Sequence, residues 1–319
     1  MITVSVVIPF YNKRPYLEAC LECLDHQSWQ EQELIFVDDG STDEGGAFLE
    51  ELLADRPYAR VIRKPHAGMA DARRTGLAAA HGKYVYFLNA ENFLLESAIK
   101  NAVWMAENNE LQVVAFCSLD VSQDTPSIRE LYELEVDQRK GGPFQRRSLK
   151  ANRIYSGLEF VKASLASRDG LYSPVWLNLY RRDYLVEKQV TFDPEENEDY
   201  PFVMDALLAA ERAGYTDQIL HCRRLLPKSV NTGTEGERRI LAAFAAADHS
   251  ERVSKEFSDR VDYRTLFRRW ELANAWLVYK ELRSCSRRLR VKYKYRAMGY
   301  VALRPDMLSP RLLLYMAFL

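Results

Sequence analysis

Apolar runs of strand length alternate with longer segments of helical period through the first third of the chain. Val4 to Ile8 is interrupted only by Ser5, Leu17, Leu21 and Leu24 recur at helical spacing, Leu34 to Val37 is continuous, and Phe48 to Leu53 is helical again. The alternation continues as a strand over Arg60 to Ile62, a helix over Ala70 to Ala80, a strand over Tyr84 to Leu88, a helix over Leu95 to Glu107 and a strand over Gln112 to Phe116. Short unbroken apolar runs suit strands buried on both faces, and strand–helix alternation is βαβ order. The pattern therefore predicts an α/β fold with a mostly parallel sheet flanked by helices. Pro15 suits the first turn of the first helix, where a missing N–H loses no bond, and Ser41-Thr42-Asp43 offers capping oxygens before the second.

From Ser118 to Arg153 the pattern breaks into charged and polar stretches around Gly141-Gly142-Pro143, which predicts a loop-rich excursion or flap. Order returns at Gly157 to Leu165, Trp176 to Leu185 and Tyr200 to Ala213. Thr232, Gly233 and Gly236 predict a linker, and Leu241 to Leu319 reads as helical throughout. The expected organisation is one domain over residues 1–231, with halves at 1–117 and 118–231, followed by a helical region over 232–319.

Composition changes this picture little. With 319 residues and 47% hydrophobic content, the chain can bury one large core plus an appendage. A formal net charge of −1 gives no global electrostatic reason for a nucleic-acid partner. Five scattered cysteines predict a reducing compartment. Cys20-Leu21-Glu22-Cys23 has the spacing of a zinc half-site, but it has no second pair and falls within an apolar helical pattern, so core packing is expected. With no basic leader and no run of membrane-spanning length, the expected location is the cytoplasm.

Chemistry gathers where strands end. Pro9-Phe10-Tyr11-Asn12 closes the first strand and Asp38-Asp39-Gly40-Ser41 the second, which places an acidic pair at the carboxyl edge of the sheet, where α/β proteins bind ligands. The first turn can set backbone groups and an aromatic face beside a base, and Asp38 can accept the ring N–H of uracil. Each turn taken alone reads equally well as an ordinary strand-to-helix connection. His66-Ala67-Gly68 opens a helix carrying Arg73 and Arg74, an arrangement suited to a diphosphate or to a solvated basic face. Asn197-Glu198-Asp199-Tyr200 precedes an apolar helix, as a catalytic acid pair or as acidic residues favoured by the helix dipole.

Taken together, over approximately residues 3 to 231, these motifs resemble the inverting glycosyltransferases of family 2, which have the Rossmann-like GT-A nucleotide-sugar fold. The resemblance implies transfer from a nucleotide sugar, by default a UDP-sugar, to a glycan or lipid-linked acceptor in cell-surface polysaccharide or lipopolysaccharide synthesis. It implies Asp199 as general base with Glu198 beside it, a like charge that would raise its proton affinity. It sets Pro9, Phe10, Tyr11, Asp38, Asp39, Gly68, Arg73, Arg74 and Asn89 on the nucleotide. Ser173 to Leu185 resembles the Trp-x-x-x-Tyr-Arg-Arg segment of polysaccharide-making members, in which Trp176 faces an acceptor sugar or lies in the core.

Two departures stand out. Where the family carries Asp-x-Asp before a Mn2+ or Mg2+ ion, this chain reads Asn89-Ala90-Glu91-Asn92, leaving Glu91 as the lone carboxylate for a metal. Arg74 stands where the family has Asn, and is expected to supply positive charge at the departing diphosphate. A catalytically degenerate member that binds a nucleotide sugar or a partner is the alternative. A dinucleotide-dependent oxidoreductase would need a G-x-G-x-x-G after the first strand, and none follows it. Finally, Arg283, Arg287, Arg288, Arg290, Lys292, Lys294 and Arg296 interleave with Leu289, Val291, Tyr293, Tyr295, Met298 and Tyr300, a pattern that fits an anionic membrane surface, a solvated face, a docking surface for a partner or an RNA-binding stripe.

Overall fold

The computed structural model describes residues 2–122, 144–145, 149–166, 174–192, 199–226 and 234–302. The chain forms two compact units, one over Met1–Pro194 and Glu198–Pro227, the other over Glu195–Asn197 and Lys228–Leu319.

The first unit is built on a sheet of ten strands among the described residues, eight of them in the order β3 (Ala59–Arg63), β2 (Gln32–Asp38), β1 (Val4–Phe10), β4 (Tyr84–Phe87), β9 (Asn178–Arg181), β6 (Val113–Ser122), β10 (Ala213–Leu225) and β5 (Phe93–Leu94), with β7 (Phe144–Gln145) paired to β6 and β8 (Arg153–Tyr155) to β10. Every residue of β1 (Val4–Phe10) and β2 (Gln32–Asp38) is buried, as continuous apolar runs require. Parallel pairing joins β1 to β2, β2 to β3 (Ala59–Arg63) and β1 to β4 (Tyr84–Phe87). Register sets Phe10 opposite Asp38 and Asp38 opposite Arg63, so the carboxyl ends of these strands lie level at one edge. The helices α1 (Arg14–Asp25), α2 (Gly45–Leu52), α3 (Met69–Ala79) and α4 (Ala98–Asn109) supply the crossovers. Cys20 and Cys23 of α1 are fully buried, and burial pushes the Cys23 thiol up to about 12, as suits core packing.

The second half of the sheet is mixed. The short strand β9 (Asn178–Arg181) runs antiparallel between β4 and β6 (Val113–Ser122), and β6 pairs in parallel with β10 (Ala213–Leu225). The segment from Ser118 to Arg153, expected to be loop-rich, contributes sheet at three places: the end of β6, β7 (Phe144–Gln145) and the start of β8 (Arg153–Tyr155). Gly141-Gly142-Pro143 lies outside the described residues. Helix α5 (Gly157–Leu165) opens with a capping box between Ser156 and Glu159. A 3-10 turn (Val175–Leu177) leads into β9, α6 (Arg182–Glu187) follows it, and α7 (Asp199–Ala209) precedes β10.

Packing fixes the edge where β4 meets α7. Phe87 on β4, Tyr180 on β9, Phe192 after α6 and Phe202 on α7 form one aromatic cluster, with Phe87 5.0 Å from Phe192 and 5.7 Å from Phe202 between ring centroids. Each such ring contributes about 1.5–3 kcal/mol of burial. The cluster anchors the end of β4 and the first turn of α7.

The second unit packs α8 (Thr234–Glu256), α9 (Val261–Ser284) and α10 (Arg287–Ala302) around Ile240, Phe244, Val278, Leu282, Ala297 and Tyr300. Gly236, expected in a linker, lies inside α8, while Thr232, Gly233 and residues 303–319 are outside the described residues. Among the described residues no helix is long and apolar enough to cross a membrane.

Candidate active site

The turns after β1 and β2 are tied together. Asn12 Oδ1 accepts the Thr42 N–H at 2.8 Å, and the Asn12 N–H donates to Ser41 Oγ at 3.0 Å. Asp43 accepts from the N–H groups of Arg14 (2.9 Å) and Gly45 (3.0 Å), so one carboxylate satisfies the first turns of α1 and α2. The N-cap position of α2 is Glu44, not one of the three residues the sequence offered.

The acidic pair divides its work. Asp38 Oδ1 accepts the Ser41 N–H at 2.8 Å and Oδ2 lies 3.7 Å from Arg63 Nε, with the residue 1% exposed. That carboxylate shapes its own turn. Asp39 instead gathers the next loop: it accepts from Lys64 Nζ (2.7 Å), Ala67 N–H (3.0 Å) and Gly68 N–H (2.8 Å), and lies 2.8 Å from His66 Nδ1. Burial would lower the Lys64 ammonium, but its bonds to Asp39 and Asp71 outweigh this and raise it. Gly40 makes the approach possible, because at φ 75° a Cβ there would stand 2.8 Å from the His66 backbone nitrogen. Tyr11, 38% exposed, stacks on the His66 ring at 4.2 Å. The structure thus brings together Tyr11, Asp39 and Gly68, whereas Pro9 and Phe10 are buried in the core.

The two arginines of α3 point different ways. A Cβ at Gly76 would stand 2.2 Å from Val7 Cγ1, so α3 sits close on β1 at that position. Arg73, one turn earlier on the same face, is directed inward and is 3% exposed. Its Nη1 donates to Asp199 Oδ1 at 2.5 Å and its Nη2 to Asn89 Oδ1 at 3.2 Å, and the guanidinium lies 5.7 Å from the Phe192 ring centroid. The Val175 N–H reaches Asp199 Oδ2 at 3.3 Å. Arg73 therefore joins the end of β4 to the first residue of α7, across 126 positions of sequence. Arg74 faces solvent and pairs with Asp71 on its own helix, so this geometry does not bring it to Asn89 or Asp199. Glu198 lies outside the described residues, and the neighbour seen on Asp199 is the opposite charge of Arg73.

The residues after β4 fit a divalent cation poorly. Glu91 Oε2 is 3.4 Å from Lys13 Nζ, and its carbonyl accepts from Arg224 Nε at 3.2 Å. Asn92, 2% exposed, accepts the Arg224 N–H at 3.1 Å, and Asn89 is engaged by Arg73. Mn2+ or Mg2+ requires several hard oxygen donors. Here amides replace carboxylates and a lysine already occupies the single acid; among the described residues no cluster of three acidic, histidine or cysteine side chains forms. Lys13 and Arg224 escaped the sequence reading of the site. The signal for Lys13 was its place directly after the first turn, and for Arg224 a cation on the strand paired with Phe93, two residues past Glu91.

Trp176 belongs to the core. It is 6% exposed, its ring stacks on His221 at 4.3 Å, and its carbonyl accepts from Tyr86 OH at 2.7 Å. An acceptor sugar needs an open aromatic face, and this ring does not offer one. His221 is fully buried with Nδ1 2.9 Å from Ser118 Oγ, and burial, aided by Arg223, depresses it to about 3, so the ring is neutral.

A mostly parallel sheet flanked by helices, its first strands ending in an acidic turn, and a helical region after it have the architecture of the GT-A fold. The family model described as glycosyl transferase family 2 matches residues 5–164, and the chain belongs to that family. It is 30% identical over 230 residues to the uncharacterized glycosyltransferase EpsJ of Bacillus subtilis, covering 71% of this chain and 62% of that protein. It is 28% identical to the uncharacterized glycosyltransferase YibD of Escherichia coli, covering 68% and 60% respectively. The chain thus spans about six-tenths of the length of these two relatives. Its fold is shared with S. aureus TarS in complex with UDP-GlcNAc, at TM-score 0.60 and 18% identity over 93% of this chain and 88% of that one. It is also shared with the mannosyltransferase PcManGT of Pyrobaculum calidifontis in complex with GDP-Man and Mn2+, at TM-score 0.56 and 17% identity over 98% and 84%.

Proposed function

We propose that this chain is an inverting glycosyltransferase that moves a sugar from a UDP-sugar to a hydroxyl of a glycan or lipid-linked acceptor in cell-surface polysaccharide synthesis. The observation that carries the reading is the Arg73–Asp199 pair beside Asn89. The Arg73 guanidinium and the Val175 N–H orient the Asp199 carboxylate, one on each oxygen. Asp199 takes the hydroxyl proton as the acceptor oxygen bonds to the anomeric carbon, and the bond from that carbon to the diphosphate breaks on the opposite face, which inverts the centre. Tyr11, Asp39 and Gly68 line the base side of the same edge. Arg73, reaching both Asp199 and Asn89, ties the proton acceptor to the end of β4.

The membrane expectation has a structural basis within the helical unit. On α10, Val291 and Tyr295, one turn apart, are 62% and 81% exposed, and Arg287 and Arg288 lie on the same exposed face. Leu289, Tyr293, Ala297 and Tyr300 face the unit's core. A face of this kind suits anionic lipid, where a lipid-linked acceptor would reside.

The test is turnover of a panel of UDP-sugars by the purified protein and by Asp199→Asn. Removal of a general base is expected to lower turnover about 10²–10⁴-fold, with UDP affinity kept within a few-fold. Full turnover in Asp199→Asn would remove that residue from the mechanism. UDP binding with no turnover by the wild-type protein on any donor and acceptor would favour the degenerate member.

A further inference from the structure

The position after β4, where this family's metal motif falls, has the wrong charge for a metal and the right charge for its ligand. Among the described residues, a divalent cation there would meet two amides, each already accepting a hydrogen bond, and one carboxylate 3.4 Å from an ammonium. Lys13 and Arg224 set two positive charges about Glu91, so these three side chains together carry a net positive charge. Hard dications need negative oxygen donors and are repelled by such a set. A diphosphate needs the reverse.

The two cations are also held in position. Lys13 is the N-cap of α1, directly after the turn of β1 that carries Tyr11, and β1 pairs with β4. Its side chain is 24% exposed, and an ammonium with three donors can keep Glu91 and still reach phosphate oxygens. The Arg224 guanidinium lies over the rings of Phe93 at 4.4 Å and Tyr16 at 5.4 Å, and Nε is tethered to the Glu91 carbonyl. Tyr16 is on the first turn of α1, so both cations border one spot between the starts of α1 and the residues after β4.

We propose that this chain binds the diphosphate of its donor without a divalent cation, with Lys13 and Arg224 supplying the charge that a metal supplies in metal-dependent relatives. The inference rests on the nucleotide-sugar reading above, and assigns to Lys13 contact with the diphosphate and to Glu91 the task of holding Lys13. It replaces the expected metal role of Glu91 and the expected compensating role of Arg74.

Titration calorimetry with UDP, GDP and the phosphate-free nucleosides uridine and guanosine, each in EDTA and in MnCl2, separates the possibilities. The expected result is a diphosphate affinity equal within about twofold in the two buffers. Lys13→Gln is expected to lose about tenfold or more in diphosphate affinity in EDTA, with nucleoside affinity unchanged, and Lys13→Arg to retain most of it. Thermal melting of Lys13→Gln confirms that it is folded; Lys13 is a partly exposed residue outside the core. Binding by the wild-type protein only in Mn2+ would overturn the proposal, as would wild-type diphosphate affinity in Lys13→Gln. Failure of both diphosphates and both nucleosides to bind in either buffer would instead overturn the nucleotide-sugar reading itself.

Discussion

In the sheet unit Glu33, Asp38, Asp39 and Arg73 are all at most 3% exposed, and each has charged or backbone partners, whereas in the helical unit the cluster where α8, α9 and α10 meet is apolar and the buried charge among the described residues is Glu271, paired with Arg268 on its own helix. Burying a charge is costly unless it is paired and hydrogen-bonded, and the sheet unit pairs its buried charges across separate strands and helices. Burial alone does not mark the site. Glu33, at the amino edge of β2, accepts from Ser5, Arg60 and the His81 N–H, and these bonds outweigh burial and hold its carboxyl below the usual range. That network knits strands on the far edge from the ligand. Asp39 and Arg73 use the same device at the carboxyl edge, where α/β sheets meet their ligands.

The sharpest way to break this contrast lies in two adjacent residues. Arg73→Met leaves Asp199 and Asn89 without their shared donor, and is expected to cost about 3 kcal/mol of stability, the lower end for one partner of a buried pair, and most of the turnover. Arg74→Ala removes an exposed cation paired on its own helix, and is expected to change stability by less than about 0.5 kcal/mol. Urea unfolding midpoints and donor turnover of the two variants measure this; similar effects from both would show that the inward direction of Arg73 has no functional weight.

Asp39→Asn is the next largest. An amide has one acceptor oxygen, and its NH2 would face donors, so the gathering of Lys64, His66, Ala67 and Gly68 cannot be reproduced. A loss of about 2 kcal/mol is expected, together with faster hydrogen exchange at the Ala67 and Gly68 amides. Unchanged protection there would mean that the loop is held by other contacts.

The acid side of stability should report His221. Its folded value of about 3 lies below the ordinary 6.5, so between these the unfolded chain binds a proton that the folded chain refuses. The stability it allows is complete above about pH 6.5 and is lost as pH falls toward 3, with a slope of at most about 1.4 kcal/mol per pH unit. In His221→Gln this part of the slope should vanish, so the difference in unfolding free energy between variant and wild type narrows or reverses from pH 7 to pH 4. A constant difference across that range would show that His221 does not titrate on unfolding.

Legibility in the sequence followed the range of the interactions. The strands and helices of the first hundred residues are local patterns, unbroken apolar runs and helical periods, and they were found nearly where the structure has them. The antiparallel entry of β9 between β4 and β6 depends on pairing across about a hundred residues, and four residues carry no sign of direction. Trp176 was open between core and acceptor because indole serves both; its stacking on His221, 45 positions later, decides it. Arg73 and Arg74 are alike as letters, and only the close seat of Gly76 on Val7 separates them. Lys13 carries no signal of its partner in the sequence, because Glu91 comes beside it only through the fold.

The smallest expected effect concerns the outward charges of the helical unit. On α10, Lys292 and Arg296 are engaged by Glu237 and Asp248, so they offer less to a membrane than their number suggests. Arg287, Arg290 and Lys294 make no ion pair among the described residues, and they flank the exposed Val291 and Tyr295. Each unpaired cation near an anionic surface contributes about 1 kcal/mol, roughly fivefold in partitioning. Arg287→Gln with Lys294→Gln should therefore weaken binding to phosphatidylserine-containing vesicles about twenty-five-fold, whereas Lys292→Gln, which also releases Glu237, should change it by no more than about fivefold. Sedimentation with anionic and with neutral vesicles tests both pairs of values, because a surface that only solvates the helix would bind neither kind of vesicle and would leave both variants indistinguishable from wild type.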